Sequence, residues 1–248
     1  MAILFTDLDG TLIFSAKRKT DGDIVVEKKN GEAISCISAF QNEMLPKLTN
    51  VVPVTTRSVE QYLRIRFPMG FSPTYAITDN GGTLLINGAP DPAWAAWANS
   101  AAKECEAELI LAREALLHDP DRSFEVRTVD GLFLFTKSRR PEDTLSRLGE
   151  GRLCEAFSTG EKVYVIPRKI NKGSAAKRLL NMLRENGEVG RVFCAGDSKM
   201  DIPLLDIGDT ALCPAELAEL VKTRCKLTTS HGRFSDFVTE TFLAAQDV

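Results

Sequence analysis

The sequence predicts an α/β protein: a doubly wound parallel sheet with a smaller α+β domain inserted into it. Three observations lead there. Short apolar runs alternate with segments of helical period at both ends of the chain. Between about residues 88 and 167 that alternation gives way to a block that reads αββαββ. The composition of the 248 residues, 44% hydrophobic and 26% charged, is that of a globular protein able to bury a core without staples. The expected organisation is therefore a core of residues 1–87 and 168–248 interrupted by a domain of residues 88–167.

The elements follow in order. Ile3-Leu4-Phe5-Thr6 is a short buried strand that ends in Asp7 and Asp9 and breaks at Gly10. Residues 14–31 are polar, with Asp21-Gly22 and Asn30-Gly31 as turn signals, and read as a projecting loop or hairpin. The spacing of Ile34, Ile37, Phe40, Met44 and Leu45 predicts a helix over 33–48. A strand at 50–55, a helix over 58–67 with Ser58 as N-cap, and a third core strand at 75–77 come next. Trp94, Ala98, Ala101, Cys105, Leu109, Ala112 and Leu116 form one stripe on a single long helix. Residues 124–138 make a hairpin about Asp130-Gly131; a helix over 141–148 and strands at 153–157 and 163–166 close the block. The first pattern then resumes: helix 173–186, strand 191–195, short helix 202–205, strand 210–212, helix 216–223 and strand 226–228.

Composition narrows the partners. Thirty-one basic against 34 acidic side chains give a net charge of −3, without the basic surplus that a general nucleic-acid or anionic-membrane binder needs. No window approaches the length of an apolar membrane span, and the first apolar run is cut short by Asp7 and Asp9, unlike a signal peptide. The six cysteines are scattered, with no C-x-x-C pair and no neighbouring His, so buried reduced thiols in a cytoplasmic protein are expected rather than a disulfide framework or zinc site.

In a doubly wound sheet ligands bind beyond the carboxyl ends of the strands. Chemistry is sought there. The first strand ends at Asp7-Leu8-Asp9-Gly10-Thr11, the second at Thr55-Thr56-Arg57, and a later one at Gly196-Asp197-Ser198-Lys199-Met200-Asp201; Lys172 opens a helix. Each alone reads as a turn former, a cap or a solvated charge. Together they supply carboxylates for a hard oxygen-seeking cation (Asp7, Asp197, Asp201) and a hydroxyl and a cation (Thr55, Lys172) for the oxygens of a phosphoryl group.

At these residues the chain resembles the haloacid dehalogenase superfamily of phosphohydrolases. The first motif, D-x-D-G-T/V, is matched by Asp7, Asp9, Gly10 and Thr11; the strand-terminal Thr/Ser by Thr55; the Lys by Lys172; and G-D-x-x-x-D by Gly196, Asp197 and Asp201. The resemblance implies a Rossmannoid core in which Asp7 is the nucleophile that forms an aspartyl-phosphate and Asp9 the general acid/base, with Thr55 and Lys172 completing the catalytic set. It implies Mg²⁺ as cofactor, held by Asp7, the backbone carbonyl of Asp9, Asp197 and Asp201. The insertion falls where a C2B-type cap belongs, as in sucrose-phosphate and mannosyl-phosphoglycerate phosphatases. A small phosphorylated metabolite, sugar-like, is then the expected partner, with no nucleic acid and no membrane. Arg57, Asn80, Gly81 and Arg168, with Arg127, Lys137, Lys162 and Tyr164 of the insertion, are the substrate-binding candidates. Thr56 and Met200 depart from the family's usual Gly and Asn. The stretch 15–32 reads as a solvated loop, with a substrate lid as the alternative. Three activities remain open: a phosphatase, a phosphomutase using the same aspartates, and a silent binding module on this fold.

Overall fold

A computed structural model describes residues 1–185, 187, 189–229 and 232–246. Strand β1 (Ile3–Thr6) is followed by β2 (Phe14–Ser15), the pair β3 (Ile24–Lys29) and β4 (Glu32–Ile37), α1 (Ala39–Met44), β5 (Val51–Pro53), α2 (Val59–Leu63), β6 (Tyr75–Thr78), β7 (Thr83–Ile86) and β8 (Ala89–Pro90). Then come α3 (Pro92–Glu104), α4 (Glu106–Leu117), β9 (Arg127–Val129), β10 (Phe133–Lys137), α5 (Pro141–Leu148), β11 (Cys154–Thr159) and β12 (Lys162–Pro167). The chain ends through α6 (Lys172–Glu185), β13 (Val192–Ala195), α7 (Ile202–Leu205), β14 (Thr210–Pro214), β15 (Cys225–Thr229) and α8 (Phe234–Ala245). It divides into two compact units, Met1–Pro90 with the chain from Lys172 onward, and Asp91–Asn171.

The larger unit is built on a parallel sheet in the order β15-β14-β13-β1-β5. Leu4, Phe5 and the other β1 side chains are buried, as a central strand covered on both faces requires. From β1 the sheet grows to one side through β5 and to the other through β13, which makes the carboxyl end of β1 the switch point of the topology. Residues 75–77 were expected as a further core strand, and the strand found there is Tyr75–Thr78. It lies instead in an antiparallel sheet β6-β7-β8 and meets the parallel sheet through one bridge, Val54 to Ile77.

Two helix starts follow from capping chemistry. Ser38 and Ser58 each accept from the backbone N–H three residues on, while Gln41 and Gln61 return the bond to the cap backbone. The helix expected over 33–48 begins only at Ala39, because residues 32–37 pair with β3 across the Asn30-Gly31 turn, whose φ values of 51° and 86° suit a tight hairpin. Of the loop or hairpin expected here the hairpin forms, within a three-stranded sheet β2-β4-β3 rather than a solvated loop, and Val26 and Ile37 belong to the same buried cluster as Leu8, Leu12 and Tyr62. Residues 216–223, expected as a helix, form only a 3-10 turn over Ala215–Leu217. The C-terminal helix α8 was not anticipated; its Val238 and Phe242 are fully buried.

In the smaller unit an antiparallel sheet runs β11-β12-β10-β9. The single long helix expected here is broken at Cys105 into α3 and α4, which serve different clusters. Ala98, Ala101 and Ala102 pack with Phe133 and Ile166, whereas Leu116 joins Leu134, Val163 and Val165 on alternate positions of the same strands. Pro141 at the first turn and Gly149, at φ 68°, bound α5.

Candidate active site

The acids of the first motif sit where β1 runs out. Leu8 O accepts from the N–H groups of Thr11, Leu12 and Ile13, so the chain curls tightly past Asp9. Gly10 makes the curl possible: its φ is +88°, and a Cβ there would lie 2.1 Å from Asp197 Oδ2. Asp197 follows β13, the strand beside β1. Gly196 is similarly constrained, because a Cβ would stand 2.3 Å from that of Asp201. The glycines of the two motifs are therefore what lets the carboxylates crowd together.

Lys172 ties the cluster. Its Nζ donates to Asp7 Oδ1 and to Asp201 Oδ1, both at 2.5 Å, and the side chain is 4% exposed. Gly173 permits this approach: a Cβ would meet Pro203 O at 2.1 Å, so α6 lies hard against α7. Asp201 Oδ2 accepts from Ser198 N and Oγ at 3.1 and 2.8 Å, and Thr11 Oγ1 donates to Asp7 Oδ2 at 3.3 Å.

Burial dominates the electrostatics. It pushes the Asp7 carboxyl up to about 7; Lys172 works against that shift, while Asp201 and Asp197 add to it. Asp197 rises to about 6 through burial and the Asp201 charge. Burial alone would pull the Lys172 amine down, but Asp201 and Asp7 outweigh it and hold it above its ordinary value. Asp7, Asp197 and Asp201 each present a carboxylate oxygen, and these atoms lie within 4.8 Å of one another. Three carboxylates against one ammonium leave two negative charges when all are ionised. Three crowded carboxylates, offering only hard oxygen donors, fit a divalent cation such as Mg²⁺.

Asp9 lies in a different setting. Its side chain is 52% exposed, and both oxygens are taken by Arg57, Nε to Oδ2 and Nη2 to Oδ1, each at 2.7 Å. Thr55 is buried just past β5; its Oγ1 accepts from Arg57 N at 3.1 Å and its carbonyl from Asn80 N at 3.0 Å. Asp79, Asn80 and Gly81 turn with φ of 54°, 57° and 112° beyond β6, and Asn80 is buried. Arg168 belongs to the smaller unit, where it donates to Gly151 O at 3.1 Å and faces Glu155 at 3.9 Å. In the same unit Arg127 pairs with Glu125, and Lys137 and Lys162 stand opposite each other across β10 and β12.

One participant escaped the sequence reading. Glu27 of β3 is 1% exposed and bonds Arg57 Nη1 at 2.7 Å. A bulge between Val25 and Glu27 turns Val26 and Glu27 both inward, so period-two alternation gives no hint of it. The available signal was the Asn30-Gly31 turn, whose hairpin brings Glu27 opposite Ser35.

No protein-family model matches the chain. Over 226 residues it is 21% identical to a phosphoglycolate phosphatase of Picrophilus torridus, covering 89% of this chain and 81% of that protein. Among solved structures, the sucrose-phosphatase of Synechocystis sp., determined with sucrose and phosphate, superposes with a TM-score of 0.64 at 17% identity, over 99% of this chain and 97% of that one. A haloacid dehalogenase-like hydrolase of Bacillus subtilis gives 0.58 at 16%, over 96% and 98%. The fold is the haloacid dehalogenase-like one. A trehalose-6-phosphate phosphatase of Aspergillus fumigatus shares it at a TM-score of 0.54 and 12% identity, over 98% and 92%. In this haloacid dehalogenase-like fold the parallel sheet belongs to the larger unit, and the four-stranded antiparallel sheet to the unit inserted between Pro90 and Lys172.

Proposed function

We propose that the chain is a Mg²⁺-dependent phosphatase of a small phosphorylated metabolite, acting through an aspartyl-phosphate on Asp7. The observation that carries this reading is the Lys172 ammonium bonded to both Asp7 and Asp201 beside Asp197, at the switch point of the sheet. A phosphate dianion must come up to a carboxylate nucleophile, and their repulsion is the main obstacle. Lys172 offsets it from one side. Asp7, Asp197 and Asp201, with the Asp9 carbonyl, would hold Mg²⁺, which when bound supplies further positive charge to the phosphoryl oxygens.

An Asp7 carboxylate oxygen attacks phosphorus, the bond from phosphorus to the leaving oxygen breaks, and Asp9 gives that oxygen its proton. A water then attacks the phosphorus of the aspartyl-phosphate and passes a proton to Asp9. The Asp7–phosphorus bond breaks, phosphate departs, and both aspartates are as they began. Thr55 would donate to a phosphoryl oxygen.

The smaller unit carries a surface that suits a sugar-like ring. Tyr164 stands between Phe135, at 5.3 Å between ring centroids, and Phe157, at 5.2 Å and stacked, with Arg127 opposite Phe135 in the next strand. Lys137 and Lys162 lie two residues along on the same face. Aromatic faces beside a few placed donors suit a ring bearing CH groups and hydroxyls. The likeness to sugar-phosphate phosphatases points the same way.

A panel of phosphorylated metabolites with phosphate release as readout tests the proposal. Steady release from one compound, lost on chelation and restored by Mg²⁺, is expected. Isomer formation without release would make the chain a mutase. No turnover of any compound, aryl phosphates included, would leave a silent module.

A further inference from the structure

Arg57 has five N–H donors, and all five are engaged. Two go to Asp9. Of the others, Nη1 bonds Glu27 Oε2 at 2.7 Å and Gln61 O at 3.4 Å, and Nη2 bonds Ser35 Oγ at 3.0 Å. Glu27 is itself fixed: Ser35 Oγ donates to it at 2.7 Å, and Arg64 bonds its other oxygen at 3.1 Å. Burial works against the Glu27 charge, but Arg57 and Ser35 outweigh it and hold the carboxyl below its ordinary value. The hairpin carrying Glu27 is no loose flap. Val26 is in the core, Arg66 N donates to Val26 O at 2.6 Å, and Arg233 bonds Asp23 at 2.7 and 2.8 Å.

The arrangement poses a problem for Asp9. With both oxygens accepting from Arg57, Asp9 has to release at least one of them to carry a proton to a substrate oxygen. A guanidinium left with only Ser35 and Gln61 would be a poorly compensated charge and would pull Asp9 back. Glu27 removes that difficulty, because Arg57 keeps an ionic partner when Asp9 leaves.

We propose that Glu27 is a positioning residue: it anchors the Arg57 guanidinium so that Asp9 can turn between Arg57 and the substrate oxygen. The inference rests on the reading of Asp9 as the acid/base group. It assigns the hairpin a part in the reaction without contact to substrate.

The test compares the full-length wild type, E27Q and E27D on p-nitrophenyl phosphate, whose leaving group needs little protonation, and on a simple alkyl phosphate, whose leaving group needs it. E27Q keeps the size and loses the charge. Its kcat on the alkyl ester is expected to fall about tenfold more than on the aryl ester, with KM little changed, and E27D to recover part of the loss. Equal losses on the two esters, or none, overturn the proposal. Should E27Q fail to fold, E27D decides by the same criterion. A readout without turnover separates this from the phosphatase reading: rotation of the Arg57 guanidinium, followed by nitrogen NMR. It is expected to stay slow in D9A and to become fast in E27Q. The reverse pattern overturns the anchor, whereas wild type that releases no phosphate while Arg57 behaves as expected would overturn only the phosphatase reading.

Discussion

Asp7 and Asp9 are two residues apart and occupy different surroundings. Asp7 is buried with an ammonium beside it and two further carboxylates crowding it. Asp9 is half exposed and held by a guanidinium whose other side belongs to a hairpin. The contrast suits the two tasks proposed for them. A nucleophile gains from a fixed, dry position in which its charge is opposed by a few groups. A group that must give and take a proton gains from water and from a partner that can release it.

Exchanging the properties of the two sites tests that contrast. The largest effect is expected from Asp7→Asn, which removes the proposed nucleophile and should lower phosphate release by about 10³-fold or more while the circular dichroism stays native. Asp9→Asn keeps Asp7, the proposed nucleophile, so aryl phosphates should still burst while turnover falls by about 10²-fold or more, most for poor leaving groups. A burst as weak as that of Asp7→Asn would erase the distinction between the two carboxylates. Gly10→Ala forces a side chain onto the Asp197 carboxylate at a positive φ. It should cost about 1–3 kcal/mol in urea unfolding and weaken Mg²⁺ binding measured by calorimetry.

The smallest effect concerns pH. Asp7 and Asp197 are raised by burial from 3.8 to about 7 and about 6. Between pH 4 and 7 the folded metal-free protein therefore keeps protons that the unfolded chain has released. Its stability is greatest at the acid side of that window and falls as pH rises through it. The proposed Mg²⁺ would bind the ionised acids, so the rise in melting temperature that it causes should grow across the same window. A metal-free protein whose stability climbs from pH 4 to 7 would remove Asp7 from the buried cluster.

The elements differ in how far local sequence describes them. Residues 141–148 and 202–205 form helices with the bounds that the sequence predicts, because proline or glycine marks their ends. At 33–37 the sequence misleads. Ile34 and Ile37 fit a helical spacing, yet Ile34 is an exposed strand residue in a bulged hairpin. Three-residue spacing over so short a run does not separate the two periods; pairing across Asn30-Gly31 does. The crowding of Asp7, Asp197 and Lys172 was foreseeable only as residues at strand and helix ends. Which oxygen faces which was not.

What the amino-acid order settled alone is the alternation of elements and the placing of small residues and acids at their ends, since turn, cap and glycine preferences act over a few neighbours. The pairing of Asp9 with Arg57, and of Arg57 with Glu27, came only with the folded chain. A buried carboxylate is tolerated where distant segments bring it a counter-charge, and no local pattern encodes that meeting.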